Sequence, residues 1–454
     1  MRLPDGPKTP AFLQTVNWIL RPLDVLDERA HKFGDTFRVL GDQQPPLLYF
    51  SSPTALQTIF AAPSAQLSSA DSNKILLPLL GEHSLILLGG AAHQRQRQLL
   101  MPPFHGDRMR AYGQLMVDIT RQVMQPWCLN QAFAVRPAMQ EISLRLILTA
   151  VFGLHEGTRF EQLRRLLSDL LETFNFPLSS LLLFYPQLQQ DWGAWSPWGR
   201  FLRRREEIDR LLYAEIADRR REGSDREDIL TLLRLAQDRE GQFMSDAEIH
   251  DELLTLLFAG HETTASAIAW ALYWIHKLPP VRNKLLAELD RLPADADPTA
   301  IAQLPYLNAV CQETLRLYPI AINAFPRVVK QPITIDGYEL EPETVLIPSI
   351  YIAHHREAVF PQPKQFRPER FLERQYSPYE FLPFGGGDRR CIGSAFAQYE
   401  MKIMLATLLR DRAFALVGER TIKPVRRGLT IAPSRHLQLK VTELRTVIHS
   451  PAVV

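Results

Sequence analysis

Ser245-Asp-Ala-Glu248 is a capping-box sequence, in which Ser245 can accept from the backbone and Glu248 can bond back. It opens a run that stays apolar to Ile275 and stops at Pro279-Pro280. A helix of that extent has roughly 30 residues and a length of ~45 Å at 1.5 Å per residue. Such an element crosses a whole domain, and the rest of the chain has to pack around it. Within 253–275 only His261 and Glu262 are strongly polar. A carboxylate at mid-bilayer costs about 2.5–3.5 kcal/mol, so the run reads as a buried helix in a large soluble domain. The earlier apolar stretch, AFLQTVNWIL, follows a Pro-rich, charged start. At about ten residues it is too short to span a bilayer and lacks a signal-peptide opening.

Of the 454 residues, 46% are hydrophobic and 22% charged, which suits a globular protein with a sizeable core. Lys and Arg number 52 against 50 Asp and Glu, so no basic excess points to nucleic acid. The densely charged stretch 200–240 interleaves acids with bases and reads as a solvated helical face. Three cysteines, Cys128, Cys311 and Cys391, make no CxxC pair and no disulfide framework, which fits a reducing, cytoplasmic setting. Proline outnumbers glycine, 34 to 22, so frequent helix breaks and long ordered connections are expected.

Alternation predicts strands at 36–40 and 47–50, and a hairpin over 333–340 whose Asp336-Gly337 centre suits a type I′ turn. Short strands are expected at 345–347, 429–432 and 437–441. Two helices have sharp limits, 306–317 between prolines and 394–410 with an apolar stripe at Ala397, Met401, Met404, Leu405 and Leu408. Between them runs the Pro-rich segment 354–383, and a structureless connection of that length is functional or tightly packed. The fold class is mainly α with small β-sheets near 36–50, 333–347 and 429–441, in a single domain over 1–454.

The sharpest local signal is Phe384-Gly385-Gly-Gly-Asp-Arg389-Arg-Cys391-Ile-Gly393. Glycines let a backbone approach a flat object closely. The run delivers one cysteine just ahead of a helix, where amide N–H groups, the helix dipole and neighbouring arginines favour a thiolate. A structural cysteine beside a turn is the plain alternative. Zinc is disfavoured because no second cysteine is near, whereas a lone thiolate suits an axial ligand to haem iron.

The spacing F-x-x-G-x-R-x-C-x-G, met by Phe384, Gly387, Arg389, Cys391 and Gly393, resembles the haem-binding loop of cytochrome P450 monooxygenases. Three further matches follow the family's order, so the resemblance spans nearly the whole chain. It implies a triangular prism of helices around a buried haem b, with the long helix over its distal face and Cys391 as the metal ligand. Ala259-Gly-His-Glu-Thr-Thr264 resembles the family's oxygen-face segment: Glu262 and Thr263 would manage proton delivery, and Ala259 and Gly260 would make room for oxygen and substrate. Read without the family, Gly260 is a packing notch and Thr263 bonds back to a carbonyl, which leaves the carboxylic acid in mid-helix unexplained. Glu313, Arg316 and Arg370 resemble the family's Glu–Arg–Arg network, a structural lock on the Pro-rich run. His93 and Arg97 share a helix face, and by resemblance they contact the haem propionates together with Arg327 and Arg389. Many relatives carry Trp where His93 stands.

By resemblance the substrate pocket takes Leu85, Ile86, Ala259, Thr263, Ala321, Ile322 and Thr430, mostly aliphatic, which suits a long-chain fatty acid, hydrocarbon or terpenoid. The apolar, aromatic stretch 174–186 with Trp192, Trp195 and Trp198 is either core or an entrance lid able to touch a bilayer. No GxGxxG opens a βαβ unit and no cysteine cluster could hold an iron–sulfur centre, so electrons are expected from a separate ferredoxin or flavodoxin with its reductase. Arg95, Arg390 and Lys402 are the candidate docking cations. The expected protein is a cytoplasmic monomer that takes dioxygen and an apolar substrate. A haem-thiolate isomerase or peroxygenase, or a haem-binding sensor without turnover, is the competing reading. Neither of the first two needs a Glu262–Thr263 proton relay.

Overall fold

The computed structural model describes residues 3–40, 45–104, 106, 108–173, 182, 186–222 and 226–445. Seven helices position the site: α1 (Pro53–Ala61), α2 (Gly90–Leu100), α3 (Val135–Phe152), α4 (Pro197–Glu222), α5 (Asp246–Lys277), α6 (Pro305–Leu317) and α7 (Ser394–Asp411). The central helix α5 runs for 32 residues. Its capping box is formed: Ser245 Oγ accepts the Glu248 N–H at 3.2 Å, and Glu248 Oε2 accepts the Ser245 N–H at 2.7 Å. Pro279-Pro280 does more than end it. The pair also opens the next helix, Pro279–Leu289, where the missing N–H groups are orphans anyway.

Helix α5 packs along α3 and α7, and the three are buried over most of their length. Their apolar faces form one core with Trp270 fully buried and stacked on Tyr318, ring centroids 3.8 Å apart. Among the described residues no helix is long and apolar enough to cross a membrane.

The strands expected from the sequence pattern are present, while Leu67–Ser68, Ala132–Ala134, Arg327–Val329, Arg412–Leu416 and Pro424–Arg427 lie outside those expectations. Strands Thr36–Val39 and Leu47–Phe50 pair antiparallel, Thr36 opposite Phe50. Leu47–Phe50 then pairs in parallel with Val345–Pro348, which lies antiparallel to Arg327–Val329. The hairpin Ile333–Ile335/Tyr338–Leu340 turns through Asp336 and Gly337 with φ of 48° and 79°, both positive as a type I′ turn requires. Towards the end of the chain, Thr430–Pro433 pairs with Pro424–Arg427, and Gln438–Leu444 with Arg412–Leu416.

Order in the Pro-rich run comes from three side chains with almost no exposure. Glu313 and Arg316 of α6 pair at 2.6 Å, and Arg370 Nε reaches Glu313 at 3.0 Å. The two guanidiniums spend their other N–H groups on main-chain carbonyls: Arg316 on His354, Pro363 and Gln365, Arg370 on Pro361 and Gln365. The Arg367 N–H closes the set on Glu313 at 2.7 Å. Backbone groups that no helix or strand could satisfy are thereby paired.

The solvated-face reading of 200–240 needs correction at one place. Arg219 is fully buried, bound to Glu215, Asp228, Thr231 and the Phe152 carbonyl, because α4 turns that side towards the end of α3. Of the stretch 174–186, residues 174–181 and 183–185 lie outside the described residues. Trp192 and Trp195 are strongly exposed, while Trp198 is buried against Phe201.

Candidate functional site

The cysteine loop is closed by the Cys391 N–H on the Phe384 carbonyl at 3.0 Å, and Gly385 and Gly387 take positive φ. What the glycines approach is protein. A β-carbon on Gly386 would lie 2.5 Å from the Phe60 ring, and one on Gly387 2.5 Å from the Phe60 carbonyl oxygen. The expectation of a flat partner is therefore corrected for these two positions, where α1 supplies the neighbour. Phe384 is half-buried against the main core, and Gly393 leads into α7.

Cys391 is solvent-accessible, yet burial dominates its acidity and pushes the thiol up. A sulfur both accessible and deep lies in a cleft. The Gly393 N–H, Arg97 and Arg390 oppose the shift without cancelling it. The loop's own amide and cations therefore do not by themselves lower the Cys391 thiol, and a metal ion on the sulfur would favour the thiolate.

Around this loop the basic candidates converge. Arg97 of α2 donates to the Arg390 carbonyl at 2.8 Å, joining that helix to the residue before Cys391. Arg389 donates to the Leu85 and Leu88 carbonyls at 3.0 and 2.5 Å, and its buried Nε makes no hydrogen bond but lies 3.8 Å from Asp388 Oδ2. Arg327 is buried, and desolvation lowers its guanidinium to about 10. His93 is pushed down to about 4 by burial first and then by Arg389, with Arg97 and Arg327 adding to it. Asp388 is the acid among them, 3.5 Å from Arg327. Three guanidiniums sharing one carboxylate suit a ligand carrying two carboxylates. With one accessible sulfur beside them, these residues fit a haem.

The middle of α5 presents a less buried stripe, Leu256, Ala259, Gly260 and Thr263, spaced i, i+3, i+4, i+7. Ala259 is exposed. Thr263 Oγ1 bonds back to the Ala259 carbonyl at 2.6 Å. Gly260 has a packing reason: a β-carbon there would meet Ile147 of α3 at 2.8 Å. Glu262 is buried and does not bond to Thr263. Its carboxylate takes Arg136 at 2.9 and 3.1 Å, Gln140 at 2.5 Å and Ser266 at 3.3 Å.

Leu85 is buried and Ile86 half-buried in the segment that Arg389 holds. Ala321 is exposed, but Ile322 is packed with Tyr49, Tyr351 and Ile431, so its side chain belongs to a small core instead of the cleft. Thr430 is half-buried on a strand that packs against α5. Of the docking cations only Arg390 is exposed and unpaired by acids. Arg95 is bound by Asp238 and Glu248, and Lys402 by the Ala302 carbonyl. Several buried acids escaped sequence reasoning, Glu215, Asp228 and Asp251 among them. Glu252 and Glu400 are both pushed up to about 8 by burial. Their signal was only an acid within an apolar helical pattern.

A family model described as Cytochrome P450 matches residues 4–441. A Mycobacterium tuberculosis protein named as cytochrome P450 135B1 is 34% identical over 449 residues, covering 98% of this chain and 93% of its own length. Another from that organism, named as cytochrome P450 135A1, is 32% identical over 450 residues, covering 98% and 96%. Among solved structures, retinoic acid-bound cyanobacterial CYP120A1 is similar at a TM-score of 0.83 and 25% identity, over 97% of this chain and 99% of that one. The heme domain of cytochrome P450DA gives 0.84 at 23% identity over 98% of each, a likeness of fold.

Proposed function

The chain belongs to the cytochrome P450 family, oxygen-incorporating oxidoreductases that bind haem b through a cysteine thiolate, and we propose that its substrate is an apolar isoprenoid or fatty acid of the retinoic acid kind. The observation that carries the site assignment is the convergence of His93, Arg97, Arg327 and Arg389 beside Cys391. Cys391 is the proposed metal ligand, and the four basic residues are the proposed holders of the propionates. Bound there, the haem supplies activation of dioxygen and oxidation of the C–H bond.

The protein's own work is binding, orientation and proton handling. Thr263, on the accessible stripe of α5, offers a hydroxyl that can leave the Ala259 carbonyl and hand a proton to water in the cleft. Glu262, held by Arg136 and Gln140 on the buried face of α5, reaches Thr263 only by breaking that pair or through water. Leu85, Ile86, Ala259 and Ala321 offer aliphatic lining to the substrate. Support for the substrate class is this lining together with the ligand in the cyanobacterial relative. Electrons are proposed to come from a separate ferredoxin or flavodoxin with its reductase, docking over the Arg390 side of the cysteine loop. A monomer in the cytoplasm completes the reading.

Ferrous–CO spectra of the purified holoprotein should show the strongly red-shifted thiolate band, lost in Cys391→Ser. Titration with all-trans retinoic acid should move the iron from low to high spin, and an oxygenated product should appear with a reconstituted reductase. A wild-type spectrum without the band rejects the ligand. A normal band with no response to retinoic acid or to a long-chain fatty acid rejects the substrate class alone.

A further inference from the structure

We propose that Glu252 is a positioning residue for the oxidation, holding the Leu85 peptide so that the pocket segment 81–88 is strung between the central helix and the cysteine loop. Its consequence for substrate rests on the function proposed above; its geometry does not.

Three neighbouring side chains of α5 bind three consecutive residues of that segment. Asp251 Oδ2 accepts the His83 N–H at 2.9 Å, Thr255 Oγ1 meets Ser84 Oγ at 2.7 Å, and Glu252 Oε1 accepts the Leu85 N–H at 2.7 Å. The approach is so close that a β-carbon on Gly81 would lie 2.1 Å from Asp251 Oδ1. From the opposite side Arg389 takes the Leu85 and Leu88 carbonyls, and Asn73 donates to the Ile86 carbonyl at 2.9 Å. Leu85 therefore has its N–H on the central helix and its C=O on a residue two positions before Cys391.

Glu252 is fully buried with the Gln96 side chain beside it, and its Oε2 forms no hydrogen bond. A carboxyl with one oxygen unsatisfied is a costly way to fill a core, and a leucine would fill it better. What only an acceptor of this reach can do is pair the Leu85 N–H, which no helix or strand satisfies. Burial pushes Glu252 up to about 8, so near neutral pH it acts as a neutral acid accepting through its carbonyl oxygen. An amide reproduces that chemistry. Movement of Leu85 moves two things together, the aliphatic lining at Leu85 and Ile86 and the guanidinium of Arg389.

Hydrogen exchange on the holoprotein tests the clamp directly. Glu252→Leu should speed exchange across 83–88 about tenfold, as expected for orphaning a buried donor, whereas Glu252→Gln should stay within about twofold of the parent. The milder Ser84→Ala, which removes the Thr255 contact, should fall between them and keeps the test open if Glu252→Leu fails to fold. Retinoic acid affinity, read from the spin shift, should weaken in Glu252→Leu and recover in Glu252→Gln while the ferrous–CO band is unchanged. Unaltered exchange in Glu252→Leu, or Glu252→Gln behaving like Leu, overturns the proposal. If retinoic acid leaves even the parent spectrum unmoved, the exchange arm still decides the clamp, and only the substrate class falls.

Discussion

Gly386 and Gly387 stand side by side, but Phe60 demands glycine at each in a different way. At Gly386 the obstacle is the Phe60 ring, and at Gly387 it is the Phe60 backbone oxygen, joined there by a φ of 67°. The ring can be removed and the backbone cannot. Gly386→Ala should therefore reduce the yield of the thiolate-type CO complex and be largely rescued by Phe60→Ala, whereas Gly387→Ala should not be rescued. Equal rescue of both, or of neither, contradicts this account of the loop. At this scale the motif residues were legible and their partners were not. Cys391 and its arginines stand out by spacing in the sequence, but that Gly260 answers to Ile147, and Gly386 to Phe60, depends on helices distant along the chain. Glu252 passed unnoticed because burial makes an acid unusual, and burial is not written in the sequence.

The elements themselves were largely readable. The capping box, the proline stops and the Asp336-Gly337 turn act over a few residues, so local pattern sufficed. The Pro-rich run was readable only as long and non-periodic. Its order is enforced from α6, where Glu313, Arg316 and Arg370 form a set with no exposure to solvent. Removing one cation from such a set leaves a buried charge short of partners, which costs about 3–5 kcal/mol. Arg370→Met should lower the unfolding free energy by that order, measured by urea titration, and loosen the run towards proteolysis. A change of about 0.5 kcal/mol or less would place the network with surface ion pairs. Arg316→Lys is not a conservative alternative, because a lysine cannot hold both Glu313 oxygens and three carbonyls.

The whole molecule carries opposing sets of buried titratable groups. His261 and His276 are lowered to about 4 and His354 to about 3, each by burial first, and His355 is held well below its usual value of 6.5 for the same reason. Between those values and 6.5 the native state binds fewer protons than the unfolded chain, so stability is lost as pH falls below 6.5. Glu252 and Glu400 are raised from 4.5 to about 8, so in that interval the native state binds more protons and stability is lost as pH rises. Each group tilts stability by at most ~1.4 kcal/mol per pH unit. With His93, also lowered to about 4 by burial first, five histidines outweigh two glutamates below 6.5; above it the glutamates are joined by His250, which, against the cost of burial, Asp209 and Asp251 hold above its usual value. Thermal unfolding followed by circular dichroism from pH 5 to 8.5 should give a highest midpoint near 6.5; a midpoint still climbing towards 8 would refute the assignment. The sequence by itself determined the central helix, the helices at 306–317 and 394–410, the 333–340 hairpin and the order of the motifs, because capping, periodicity and turn preference are properties of neighbours along the chain. Only the tertiary structure decided which groups lie in a low-dielectric interior and what faces them there. That is why it turned Glu262 towards Arg136, pushed the Cys391 thiol up by burial, and tied Leu85 to Glu252.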